Sequence, residues 1–281
     1  MMDFDMPSNF MEVHRYGDER VRCENEVKRH PRDDGVWGEY GEVLLCLGQL
    51  DKALEAFRRA DDLRAREFAD PEMFSRPWLE HIGTVLWLLG RRHDAIATFH
   101  EGAQGVLDDK IKFGDLAGGA SHGLLLWYAG VTAEDSEARK FAEEYLSRLA
   151  REREYGKYGT LFWPQHLPLF VIGRMTREQV LMDLVGTSNV DDAILRAREQ
   201  SDQNKAIWGD LVQGLFYLAV HDRAAGREAE CRAGMARCAA MENPITAVEW
   251  FLARAEAGYV PGTKDWPWRP VAKPKSRTGR K

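Results

Sequence analysis

Apolar residues recur at three- and four-residue steps along most of this chain, with glycines breaking the runs. Between Trp37 and Leu63, the positions Tyr40, Gly41, Leu44 and Leu47 form one stripe and Gly48 interrupts it. The pattern restarts near Asp51 with Ala53, Leu54, Phe57 and Ala60. A stripe of that period predicts an amphipathic helix. Glycine is the residue that most easily takes the backbone angles that end one. The stretch therefore predicts two antiparallel helices, a hairpin that cannot bury both stripes by itself. A second hairpin is predicted over Arg76–Leu107, with Trp78, Ile82, Gly83, Val85 and Leu86, then Gly90, then Ala95, Ile96 and Phe99. A third covers Phe113–Leu149, with Gly119, Gly123, Leu126 and Trp127, then Gly130, then Ala138, Ala142 and Tyr145. Gly48, Gly90 and Gly130 follow one another at 42 and 40 residues, which makes the chain a series of hairpins.

The flanks fit the same scheme. Phe10–Arg29 predicts a helix with Val13, Tyr16, Val21, Cys23 and Val27 as its apolar positions. Pro31 ends it, and Asp33-Asp34 caps the helix that carries Trp37. After a charged connector at Arg151–Tyr158 come a short apolar helix, Gly173, and a helix capped by Thr176. Trp208–Val220 and Arg227–Met241 then predict a further pair, and Ile245–Ala257 a last helix. The expected organisation is one all-α domain over residues 1–260. Its hairpins lie at about 34–70, 76–108, 113–150, 160–185 and 205–241, and its final helix at 245–257. Residues 261–281 hold four of the eleven prolines, Trp266 and Trp268, and they predict a disordered tail or an extended strap whose tryptophans dock on the last helices.

Trp37, Gly41, Leu44, Gly48, Ala53, Phe57 and Ala60 fall at a spacing that resembles the tetratricopeptide repeat. The resemblance implies an α-α superhelix, a solenoid in which the first helix of each hairpin lines a concave groove that takes an extended or helical peptide. The second half looks like bacterial periplasmic tetratricopeptide lipoproteins. The matching residues are Gly173-Arg174-Met175-Thr176-Arg177-Glu178, Phe216-Tyr217-Leu218 and Val248-Glu249-Trp250. Those lipoproteins are adaptors that recruit peptidoglycan hydrolases and proteases. This sequence shows no lipoprotein signal or lipidated cysteine, so the likeness implies the architecture and not the envelope location or the partners.

With the register anchored on the three glycines, the groove-facing candidates are Glu42, Glu80, Thr84, Trp87, Leu124 and Trp127, and Trp163 and His166 extend the wall. Trp87 and Trp127 stand three residues before their glycines and are either core or anchors for a partner. Charge sharpens the choice of ligand. The net charge is −6, but seven Lys/Arg and only Asp265 lie from Lys264 onward, which leaves 32 basic against 44 acidic residues upstream. An acidic body suits a basic protein or peptide and not a nucleic-acid backbone. No apolar run is long enough to cross a bilayer and the first residues are acidic, so the expected location is the cytoplasm. The four cysteines form no CxxC pair and are expected as reduced core residues.

No phosphate-loop, dinucleotide, nucleophile-elbow or zinc-protease motif occurs. The dense run Gly118-Gly119-Ala120-Ser121-His122-Gly123 is expected to let two helices approach closely. The reading is a non-enzymatic adaptor that binds a protein or peptide, with no cofactor or metal. Its sharper variant is a cytoplasmic immunity or inhibitor protein that holds a basic effector enzyme. The rivals are an enzyme whose groove site uses His81, His122 and His166, and self-association through the repeat surface.

Overall fold

The computed structural model describes residues 16–67, 75–113, 117–155, 161–201, 206–241 and 247–266, all helix, turn and loop with no strand among them. The first helix, α1 (Tyr16–Arg29), lies on the hairpin α2 (Asp34–Cys46) and α3 (Leu50–Glu67). The hairpins α4 (Trp78–Leu88)/α5 (Arg92–Leu107) and α6 (Ala120–Thr132)/α7 (Ser136–Glu152) follow, each packed on the one before. The first helix buries Cys23 and Val27, but Val21 is 48% exposed. Its irregular stripe is too narrow to bury all three. Residues 10–15 of the expected span lie outside the described residues. Asp33 caps α2 as expected, accepting a hydrogen bond from the Val36 amide at 3.1 Å.

One contact recurs in all three hairpins. A side-chain carbon added at Gly41 would fall 2.7 Å from the Phe57 ring. At Gly83 it would fall 2.3 Å from Phe99, and at Gly123 2.4 Å from Tyr145. A large ring of each second helix thus lies flat on a glycine of its partner, which sets how closely the pair approaches. Gly48 and Gly90 end their helices at φ 68° and 75°. Gly130 does not, which corrects the expected breaker. It is helical, α6 runs on to Thr132, and the left-handed turn falls on Glu134 at φ 56°. A side-chain carbon at Gly130 would meet the Arg139 backbone nitrogen at 2.6 Å, so this glycine serves close helix packing.

The second half is α8 (His166–Val171), α9 (Arg177–Val185), α10 (Val190–Ser201), α11 (Ala206–Ala224), α12 (Glu228–Ala239) and α13 (Val248–Glu256). The pattern had not separated α10, whose inner residues are only Ala193 and Ala197. Thr176 caps α9 through a reciprocal box with Gln179. The α11 helix is apolar nearly all round. It packs on α6, α8, α9, α10, α12 and α13, as a helix with so few solvent-facing positions must. All four cysteines are free and buried.

The end of the chain returns to its beginning. Trp266 is fully buried, stacks on Phe251 of α13 and donates its indole N–H to the Leu45 carbonyl of α2 at 2.9 Å. Gly262 lies against Gly48. The expected strap over the last helices therefore also closes on the first hairpin; Trp268 lies outside the described residues. No described helix is long and apolar enough to cross a membrane.

Candidate functional site

The inner faces of α4 and α6 meet α11 and α13, and these two helices cover part of the surface that an open solenoid would leave as groove. At one end, Trp87 packs on Tyr128 at 5.2 Å, Tyr128 packs on Phe216 at 5.0 Å, and the Tyr128 hydroxyl donates to Glu256 at 2.9 Å. Arg223 joins Glu256 to the Thr132 hydroxyl. That end is closed. Thr84, Trp87, Leu124 and Trp127, four of the eight groove candidates, are buried. Trp127 donates its indole N–H to Glu143 of its own hairpin. The reason is tertiary: the apolar α11 needs apolar helices on every side, and the first helices supply one.

The other end is polar, with the Glu42 and Glu80 side chains 19% and 20% exposed. Glu80 accepts a hydrogen bond from Ser121, and the His122 Nδ1 lies 3.8 Å from its carboxylate. Glu42 stands 3.7 Å from the His81 Nε2. On α13, Glu249 is 1% exposed and accepts from the Tyr217 hydroxyl at 3.0 Å and from the Gln213 amide at 3.3 Å. Gln213 in turn accepts from the Trp163 indole at 2.8 Å. Asp210, Gln213 and Tyr217 lie at i, i+3 and i+7, one face of α11. Trp163 is thereby joined to Gln213 and Glu249, whereas Glu42 and Glu80 lie beside His81 and His122 on the first helices. His166 stacks on Trp163 and lies 3.8 Å from Asp183. Asp210, Gln213, Tyr217 and Glu249 escaped the reading of the sequence. Tyr217 and Glu249 fell inside stretches quoted for a likeness, and no local pattern marked them as polar groups of one interior face.

The electrostatics of this end are unusual for the molecule. Burial raises the Glu42 carboxyl to about 8 and Asp210 to about 6, and it raises Glu249 against the lowering effect of its own backbone, Tyr217 and Gln213. Burial also lowers His81 and His122 to about 4, so both rings are neutral at pH 7. Elsewhere the buried carboxylates face arginine: Asp61 faces Arg76 at 3.1 Å, and Asp222 faces Arg177 and Arg227. At Glu42, Asp210 and Glu249 no Lys or Arg stands within ion-pair distance among the described residues. Nor do three or more His, Cys, Asp or Glu converge there as a metal shell would require. A separate cleft of about 670 Å³ between the α6–α7 and α11–α12 turns also carries charge, but its Arg223 is fully engaged by Thr132, Glu228 and Glu256.

No protein-family model matches the chain, and no curated protein or solved structure matches it.

Proposed function

We propose that this protein is a non-enzymatic adaptor, a tetratricopeptide-like superhelical array whose acidic inner rim holds a basic segment of a partner protein. The glycine-on-ring contact repeated in three successive hairpins supports the architecture. The binding reading is carried by one observation: the carboxyl groups of Glu42 and Asp210, partly buried, and of Glu249, fully buried, have no Lys or Arg within ion-pair distance among the described residues. Desolvation disfavours the charged form of each of these groups, and an incoming ammonium or guanidinium group would favour it by supplying a counter-charge. Trp163, bonded to Gln213 next to Glu249, adds an aromatic wall of the kind that anchors partners.

Affinity capture with the full chain tests this. A stoichiometric basic protein is expected. Its capture should weaken as salt rises, and it should be lost in the Glu42→Gln/Asp210→Asn/Glu249→Gln variant, with circular dichroism showing that the variant keeps its helical fold. Capture indifferent to those three replacements would remove the proposal. The inhibitor variant rests on the same rim and requires the captured protein to be an enzyme silenced by binding. The histidine-based enzyme draws less support, because His81, His122 and His166 face three different carboxylates and none is paired with a nucleophile.

A further inference from the structure

The side of α11 that faces away from Asp210, Gln213 and Tyr217 carries a second cleft, of about 410 Å³. At about 3.6 residues per turn, Leu215, Leu218, Ala219 and Asp222 form one stripe along that side. On α12, Glu230, Ala233, Gly234 and Arg237 repeat the same spacing, and the two stripes line the cleft together. A side-chain carbon at Gly234 would fall 2.7 Å from that of Ala219, so the two helices close tightly along the floor. Leu215, Leu218 and Ala219 are buried there and make the floor apolar. The main-chain groups of both stripes are engaged within their helices, so the cleft offers a ligand only side-chain donors. Arg177, at the start of α9, and Arg227, just before α12, stand at one end of it. Asp222 takes Nη2 of Arg177 and Nε and Nη2 of Arg227, and the Leu218 carbonyl also accepts from Arg177 Nη2. Nε and Nη1 of Arg177 and Nη1 of Arg227 have no hydrogen-bond partner among the described residues. Arg237 makes one loose ion pair, at 3.4 Å from the exposed Asp191.

We infer that this cleft binds a small apolar monocarboxylate, with its head on Arg177 and Arg227 and its hydrocarbon body along Leu215, Leu218 and Ala219. The planar guanidinium group matches a carboxylate, and the two arginines hold unused donors beside an apolar floor. Charge fixes the valence of the head. Three arginines and two carboxylates, Asp222 and Glu230, line the cleft, which leaves one positive charge. A single negative charge complements that excess, whereas a phosphomonoester near charge −2 overshoots it. The body follows from the walls. A peptide would bring amides that find no main-chain partners on the sides of two helices, a desolvation cost that a hydrocarbon chain does not carry. The volume lies at the small end of the range of small-molecule sites, about 300–1,000 Å³. The site is independent of the adaptor reading, since the acidic groups lie on the other side of α11.

Titration calorimetry of the full chain tests this, with octanoate as the probe and acetate, octylamine and octyl phosphate as comparisons. Octanoate should bind saturably. Acetate, which lacks the hydrocarbon body, and octylamine, which reverses the charge, should each bind about tenfold or more weakly. Ala233→Trp places a ring in the cleft from an exposed helical position and leaves the clamp on Asp222 untouched. It should weaken octanoate by about tenfold or more while circular dichroism shows the helical fold unchanged. Arg227→Gln should weaken octanoate by about tenfold, the range of a hydrogen bond to a charged group, with Arg177 still holding Asp222. Glu230→Gln removes an exposed like charge and should tighten octanoate about two- to fivefold. The inference is overturned if octanoate does not bind saturably, if its binding is indifferent to Ala233→Trp, or if octylamine binds as well. Octyl phosphate binding more tightly than octanoate would overturn the choice of a monocarboxylate, and so would weaker octanoate binding in Glu230→Gln.

Discussion

Two glycines in helices, Gly130 and Gly209, have opposite roles. A side-chain carbon at Gly130 would strike the backbone of the next helix at Arg139, whereas one at Gly209 meets nothing within 4 Å. Alanine is the better helix former by about 1 kcal/mol. Gly209→Ala should therefore raise the urea midpoint, while Gly130→Ala should lower it, with overpacking costing about 1–3 kcal/mol. A stabilised Gly130→Ala would show that the two helices can move apart freely. At Glu42 the consequence concerns pH. Its carboxyl is raised from 4.5 to about 8 by burial and by the neighbouring Glu39, so the folded state holds a proton that the unfolded chain gives up. Its stabilising contribution is complete below pH 4.5 and falls as the pH rises toward 8. His81, lowered from 6.5 to about 4, acts in the other direction, since its contribution is present above 6.5 and lost as pH falls through 4. Glu42→Gln should flatten the decline in melting temperature between pH 5 and 8, a slope read by thermal scans across that range. The glycines were visible in the sequence, but not which of them ends a helix, because that depends on where the next helix lies. The carboxylate of Glu42 was legible as an acidic position on an inner face. The absence of a cation opposite it was not, because cationic side chains elsewhere in the chain could have reached it.

Among the helices, α11 differs most from what a hairpin member requires. A repeat helix keeps one face for solvent, and α11 keeps almost none, so it acts as the post around which α6, α8, α9, α12 and α13 assemble. Its polar exception near the C-terminal end is Asp222, buried and clamped by Arg177 of α9 at 2.6 Å and Arg227 at 2.8 Å. One carboxylate thereby ties α9 to the start of α12. Asp222→Asn leaves two guanidinium groups facing a neutral amide. It should cost about 2–4 kcal/mol, less than for a fully enclosed pair because both arginines reach solvent. Denaturant titration measures this, and a loss below about 1 kcal/mol would mean that the clamp is surface decoration. The apolar run Leu211, Leu215, Phe216 and Leu218 was plain in the sequence. Periodicity reports the faces of one helix but not how many neighbours those faces meet, so its central position was hidden.

An open row of hairpins contacts only its neighbours and can fray from either end. Here the Trp266 indole on Leu45, the Gly262–Gly48 contact and the α4–α13 packing join the last segment to the first hairpin. Trp266→Ala should cost about 3–5 kcal/mol. It should also raise hydrogen exchange in α2 and α13 together, although they are some 200 residues apart in sequence. Faster exchange at α13 alone would show that the contact covers a surface without coupling the ends. By itself the sequence determined the helices, most of their ends, the pairing into hairpins and the acidic balance of the body, because each follows from spacing and composition over a few tens of residues. Only the tertiary structure decided that the inner face is half filled by the chain's own α11 and α13. It also decided that Trp87 and Trp127 are core, and that Glu249 is buried against Tyr217 and Gln213. Those facts depend on contacts between separate segments of the chain, which no periodicity within one segment encodes.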